Sequence, residues 1–83
     1  MIQSFEELVK EERARQDEKW GEQNLHSAVW LAILMEEVGE LSTALLNSFF
    51  DNQRKKNTKE ELAQVAAVCQ AMYESGVRNG WIK

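Results

Sequence analysis

The sequence predicts an all-α protein: a helical bundle with three helices per chain, its four-helix core completed by homo-oligomerisation. Three observations predict it. Apolar residues recur at threes and fours through two long segments, which is the repeat of a helix with one buried face. No proline interrupts either segment, and 43% of the chain is hydrophobic, so a packed core is affordable. The 83 residues make a single domain, residues 1–83, too small to cover both sides of its most apolar helix.

Helix one is predicted from Ser4 to about Lys19, because Ser4-Phe5-Glu6-Glu7 has capping-box spacing. Its apolar content is thin: Phe5, Leu8, Val9, Ala14 and Trp20. It is therefore expected to be mostly solvated or laid across another subunit, outside the core. Gly21 ends it, and residues 21–26 form a loop, with Ser27 or Asn24 as the cap of helix two. Helix two runs from Ser27 to about Phe50. Leu31, Leu34, Met35, Val38, Leu41, Ala44, Leu45 and Phe49 form a wide stripe, broadened by Trp30, Ile33 and Leu46. The polar turn from Asp51 to Asn57 returns the chain antiparallel. Thr58-Lys59-Glu60-Glu61 repeats the capping-box spacing, so helix three starts there and extends to about Ser75. Its predicted stripe is Leu62, Val65, Ala66, Cys69, Met72 and Tyr73; Gly76 is read as its stop, and Trp81 as the anchor of the tail.

Two acidic motifs carry the chemistry. Residues three apart on a helix share a face, so Glu37 and Glu40 point one way, as do Glu61 and Gln64. On adjacent antiparallel helices these four oxygen-bearing side chains converge. A hard divalent cation wants such a set, and Mg2+ (or Mn2+) with retained waters and substrate phosphates suits it. Glu36 and Glu60 are rotated away by about 100°. The plainer alternative is that these glutamates are solvated helix formers, with Glu61 closing a capping box.

The net charge of −4 argues against duplex nucleic acid as a partner, although a bound cation can bridge acidic protein to phosphate. The longest apolar run, Ala28 to Met35, is too short to span a bilayer. No charged-then-apolar leader follows Met1, and the single Cys69, expected to be buried, has no partner within the chain; a cytoplasmic location is expected.

Glu37-Val38-Gly39-Glu40 followed by Leu41 resembles the ExxE motif of the MazG-like all-α nucleoside triphosphate pyrophosphohydrolases, and Glu61-Leu62-Ala63-Gln64 resembles their ExxD motif. The resemblance covers roughly Arg13 to Tyr73 and departs at Gln64, where the family pattern has aspartate. The segment from Arg15 to Asn24 is similar to a small bacterial and phage-borne branch in which glutamine at that position is tolerated. The resemblance implies Mg2+-dependent cleavage of a nucleoside triphosphate to monophosphate and pyrophosphate. It also implies a metal held by Glu37, Glu40, Glu61 and Gln64, Glu37 or Glu40 as general base, and a homodimer or homotetramer.

For the base and sugar, Trp20, Asn24, His26 and Trp30 lie just before the first acidic motif, where aromatic faces stack and polar edges hydrogen-bond. Against this, Trp30 also falls on the apolar side of helix two, and a lone loop histidine is usually a surface residue. Arg54-Lys55-Lys56 is either a solvated turn or a reach toward triphosphate, a task for which Lys19 and Arg15 are equal candidates. A second reading is a non-catalytic helical oligomer that binds nucleotide or a protein partner, favoured by the missing aspartate. A di-iron bundle is disfavoured, because its ExxH pairs need histidines on helices and His26 is in the loop.

Overall fold

Ser4 opens the first helix in the expected way: its Oγ accepts the Glu7 N–H at 3.2 Å and donates to Glu7 Oε1 at 3.0 Å. A computed structural model describes residues 2–50 and 58–83, and within them every regular element is helical: α1 (Phe5–Trp20), α2 (Ser27–Phe50) and α3 (Thr58–Arg78). Gly21 closes α1 at φ +67°, a left-handed conformation that favours glycine, while its N–H reaches Asp17 O at 2.8 Å. The turn at 51–57, with the Arg54-Lys55-Lys56 run, lies outside the described residues.

The cap of α2 is His26 rather than Ser27 or Asn24. Its Nδ1 accepts the Ala28 N–H at 3.0 Å, doing the work of an Asn or Ser oxygen, and its carbonyl receives the N–H groups of Val29 and Trp30. Asn24 is drawn instead to the far end of α3, where Oδ1 accepts from Arg78 Nε at 2.9 Å and Asn79 Nδ2 at 2.8 Å.

The stop of α3 also differs from expectation. Gly76 lies inside the helix and is buried; a Cβ there would collide with the Ile82 side chain. Glycine is required at that position by the close approach of the tail. The Gly76 carbonyl accepts from Trp81 and Ile82 N–H, both at 3.0 Å, and Gly80 at φ +83° makes the reversal. Ile82 is thus an anchor of the tail alongside Trp81.

Contacts fix the topology. Asn24 meets Arg78 while Glu37 meets Gln64, so α2 and α3 are antiparallel; Arg13 reaches Gln70 and Glu74 while Glu22, just past α1, meets Arg78, so α1 runs in the direction of α3. Among the described residues, α1 and α2 each pack on α3 and not on one another. The buried apolar set is Trp30 and Ala44 from α2 with Ala63, Ala67 and Val68 from α3. Small side chains on α3 suit the close packing of a neighbouring helix, since interaxial distance follows the residues at the contact.

The stripe expected for helix three holds only in part: Val65, Ala66 and Met72 are half-buried. Its buried face is Glu61, Ala63, Ala67, Val68, Ser75 and Gly76, whereas Leu62, Tyr73 and Cys69 are exposed. Cys69 sits two residues beyond Ala67, about 200° around the helix, so the two cannot share one buried face. Much of the α2 stripe is exposed too, including Leu31, Met35, Leu45, Leu46 and Phe49. No described helix is long and apolar enough to cross a membrane.

Candidate metal centre and cleft

Glu37 and Glu40 stand one turn apart on α2, and Glu61 lies in the first turn of α3 opposite them. One carboxylate oxygen from each falls within 4.8 Å of the other two. Glu61 is buried, at 6% exposure, and Glu37 and Glu40 are half-buried. Gln64, one turn beyond Glu61, completes the predicted quartet. In the amide orientation that satisfies its hydrogen bonds, its NH2 donates to Glu37 Oε2 at 3.0 Å and Glu61 Oε2 at 3.3 Å.

An aspartate at position 64 could make neither bond when ionised and would add a negative charge. Burial pushes the Glu37 carboxyl above the usual carboxylate range, and the charges of Glu40, Glu61, Glu36 and Glu12 push it further. Hard oxygen donors crowded on a partly desolvated face fit Mg2+ or Mn2+, which would relieve that repulsion.

The backbones of α1 and α2 stay apart, and a cleft of about 550 Å³ opens between them above α3, with Glu37 and Gln64 in its lining. Trp30, Ile33 and Val68 give it an apolar wall, while Arg15, Lys19 and Trp20 contribute from α1. Lys19 Nζ lies 4.7 Å from the Trp20 ring centroid, a cation–π contact. Of the residues predicted to meet substrate, Lys19, Trp20 and Trp30 are therefore gathered beside the acidic cluster. Asn24 and His26 are not part of that lining, and their bonds give them tasks at helix ends. Trp30 is both core and wall: it is 2% exposed, and among the described residues its Nε1 has no hydrogen-bond partner.

On the other side of Trp30 a second cleft of about 340 Å³ is crossed by ion pairs that tie α1 to α3. Arg13 Nη2 meets Glu74 Oε1 at 2.8 Å, and Nη1 donates to Gln70 Oε1 at 3.0 Å. The Arg13 hydrogen bond holds the Glu74 carboxyl below its ordinary range. The Arg13 contacts tie α1 to α3.

The residue that sequence reasoning missed is Glu12. It is only 8% exposed and lines the larger cleft, with Oε1 accepting from Arg15 Nε at 3.0 Å and Nη2 at 2.6 Å. Gln16 Nε2 donates to its other oxygen at 3.3 Å. A signal existed: Glu12 and Gln16 continue the helical phase of Leu8, so polar groups occupy the inward face of α1. Comparison with protein-family models, with curated proteins and with solved structures gives no match.

Proposed function

We propose that the protein is a Mg2+-dependent pyrophosphohydrolase of the MazG-like kind, cleaving a nucleoside triphosphate to its monophosphate and pyrophosphate. The observation that carries this reading is the convergence of Glu37, Glu40 and Glu61 beside a cleft to which α1 brings Arg15 and Lys19 and whose wall is aromatic and apolar. Held by those carboxylates with Gln64 alongside, Mg2+ or Mn2+ would supply charge neutralisation and Lewis acidity toward the phosphates. Arg15 and Lys19 suit the triphosphate, and the exposed Trp20 ring with the half-buried Ile33 offers surface to the base, backed by the buried Trp30 and Val68. Hydrolysis breaks the bridge between the α- and β-phosphates as water adds at phosphorus. Glu37 or Glu40 takes the proton of that water.

A second reading, a helical oligomer that binds nucleotide or a protein partner without turnover, is favoured by one observation. Gln64 satisfies Glu37 and Glu61 by hydrogen bonding without any ion. Turnover separates the two. In an enzyme, wild type hydrolyses at least one triphosphate in a panel with Mg2+ or Mn2+, and Glu61→Gln loses that activity. In a binder, wild type releases no pyrophosphate from any of them. Gln64→Asp should tighten Mg2+ binding by about tenfold or more, because a fourth anionic ligand raises the local charge. Titration calorimetry reads that change, and an unchanged affinity would remove position 64 from the metal's surroundings.

The four-helix core belongs to the same proposal. Leu31, Met35, Leu45, Leu46 and Phe49 along α2 are each about half exposed or more, which supports association into a homodimer or homotetramer through that helix. Light scattering at micromolar concentration should give such a mass. A well-folded monomer there would contradict the bundle and any site shared between subunits.

A further inference from the structure

Glu12 has no place in the metal quartet, yet it is among the most buried carboxylates described. Its partner is not buried with it: the Arg15 side chain is 62% exposed, against 10% for that of Glu12. Such a pair is a poor stabiliser, because the carboxylate loses hydration while the guanidinium's attraction is screened by water. An apolar residue in phase with Leu8 would pack that face without the desolvation penalty. The geometry of the pair explains what the carboxylate contributes instead. Both bonds, from Nε and Nη2, converge on the single oxygen Oε1, so Glu12 grips one edge of the guanidinium. Gln16 Nε2, on the other oxygen, fixes the carboxylate in turn. The opposite edge of a guanidinium, Nη1 with the second Nη2 proton, is the fork that matches two phosphate oxygens. Lys19 follows one turn later on the same side of α1 and also lines the cleft.

We propose that Glu12 is a positioning residue that holds the Arg15 guanidinium at the cleft, with its outer edge presented to the phosphate chain of a nucleoside triphosphate. The inference rests on the pyrophosphohydrolase reading and adds to it the means by which α1 recognises the charged end of the substrate. Arg15 would touch phosphate, and Glu12 would act only through Arg15. Without the anchor, an exposed arginine samples many rotamers, and each binding event must first order it.

The test is a double-mutant cycle on the full chain. Wild type, Glu12→Gln, Arg15→Ala and the double variant are assayed for kcat and KM with the common nucleoside triphosphates and Mg2+. Their dissociation constants for the α,β-methylene analogues are measured alongside, with Mn2+ binding followed separately by electron paramagnetic resonance. Glu12→Gln should raise KM and the analogue's dissociation constant by about tenfold, the scale of one charge-assisted hydrogen bond. Its kcat should change by less than about threefold, since the lost contact is made in ground and transition states alike. Mn2+ affinity in the absence of nucleotide should fall by no more than about threefold, because Glu12 acts on Glu37 only as a nearby charge, the weakest of those that do, and is no ligand. On the Arg15→Ala background, Glu12→Gln should add nothing. A merely structural Glu12 would lower the melting temperature and leave this split and this non-additivity absent. Should Glu12→Gln fail to fold, Glu12→Asp keeps the charge but retracts it by one methylene, and the same rise in KM is expected in smaller measure. A wild-type KM in the substituted enzyme, additive effects in the cycle, or lost Mn2+ affinity would each overturn the positioning role while leaving the enzyme reading intact. A wild-type protein that neither binds the analogues nor turns over any triphosphate would overturn both.

Discussion

Glu37→Gln, and equally Glu40→Gln, is expected to abolish divalent-cation binding and to lower turnover by about a hundredfold or more while the helices remain formed. The expectation follows from crowding. Three carboxylate oxygens lie within 4.8 Å of one another, and Glu37 also stands near Glu36 and Glu12. That arrangement is unfavourable to the protein alone; the Gln64 hydrogen bonds offset part of the repulsion, and a cation would offset more. The same substitution should therefore raise the melting temperature of the metal-free protein, by on the order of a few degrees. The pH dependence has a definite sign. The folded-state carboxyl of Glu37 is shifted up from its ordinary value, so the folded chain holds that proton more tightly than the unfolded chain does. Wild type should gain stability relative to Glu37→Gln as pH falls from neutral through the raised value to the ordinary carboxylate range. Above the raised value the penalty is fully present. Comparing the two proteins at each pH cancels the opposite contribution of Glu74, whose depressed carboxyl supports folding above its ordinary value and loses that support on acidification. Thermal melts between neutral pH and about pH 4.5 read the difference. Undiminished hydrolysis by either glutamine variant would remove the carboxylates from the chemistry.

Trp30→Ala should be the most damaging apolar substitution, costing about 3–5 kcal/mol, a large part of what a domain of this size has. Trp30 is 2% exposed and is the largest side chain of the core, the remainder being alanines and one valine. It also separates the two clefts, so its loss joins them and leaves α1 without a wall to face. Trp30→Phe should be far milder, because it retains most of the ring volume and removes an indole N–H that has no partner among the described residues. Trp20→Ala, at a side chain 54% exposed, should leave the melting temperature nearly unchanged. Urea unfolding of the three variants tests the order, and a Trp30→Ala protein as stable as wild type would mean that the core lies elsewhere.

Helix number and most helix ends were legible because they are local. Ser4 with Glu7 and Gly21 after the last apolar residue are read within a few positions. The acidic pair was legible for the same reason, since spacing of three residues sets a helix face. What was not legible depends on which neighbour a face meets. Ranking by hydrophobicity chose the side of α3 bearing Leu62, Cys69 and Tyr73, whereas the buried side bears Ala63 and Ala67. Gly76 read as a stop because a glycine needed for close approach to Ile82 cannot be distinguished, in sequence, from one needed for a left-handed turn. The cleft is a tertiary consequence of two helices that share α3 with their backbones apart, and Glu12 acquires its meaning only with that cleft.

The central claim is that the acidic cluster and the cleft together split a nucleoside triphosphate at its first phosphate bridge. Phosphorus-31 NMR of wild-type protein with Mg2+ and each nucleoside triphosphate follows that event directly. The account predicts that the three triphosphate resonances of at least one substrate decay into a monophosphate signal and a pyrophosphate signal in equal molar amounts. Excess chelator or Glu61→Gln should stop the decay. Orthophosphate with diphosphate as products, or no change with any triphosphate in the presence of Mg2+ or Mn2+, would contradict it.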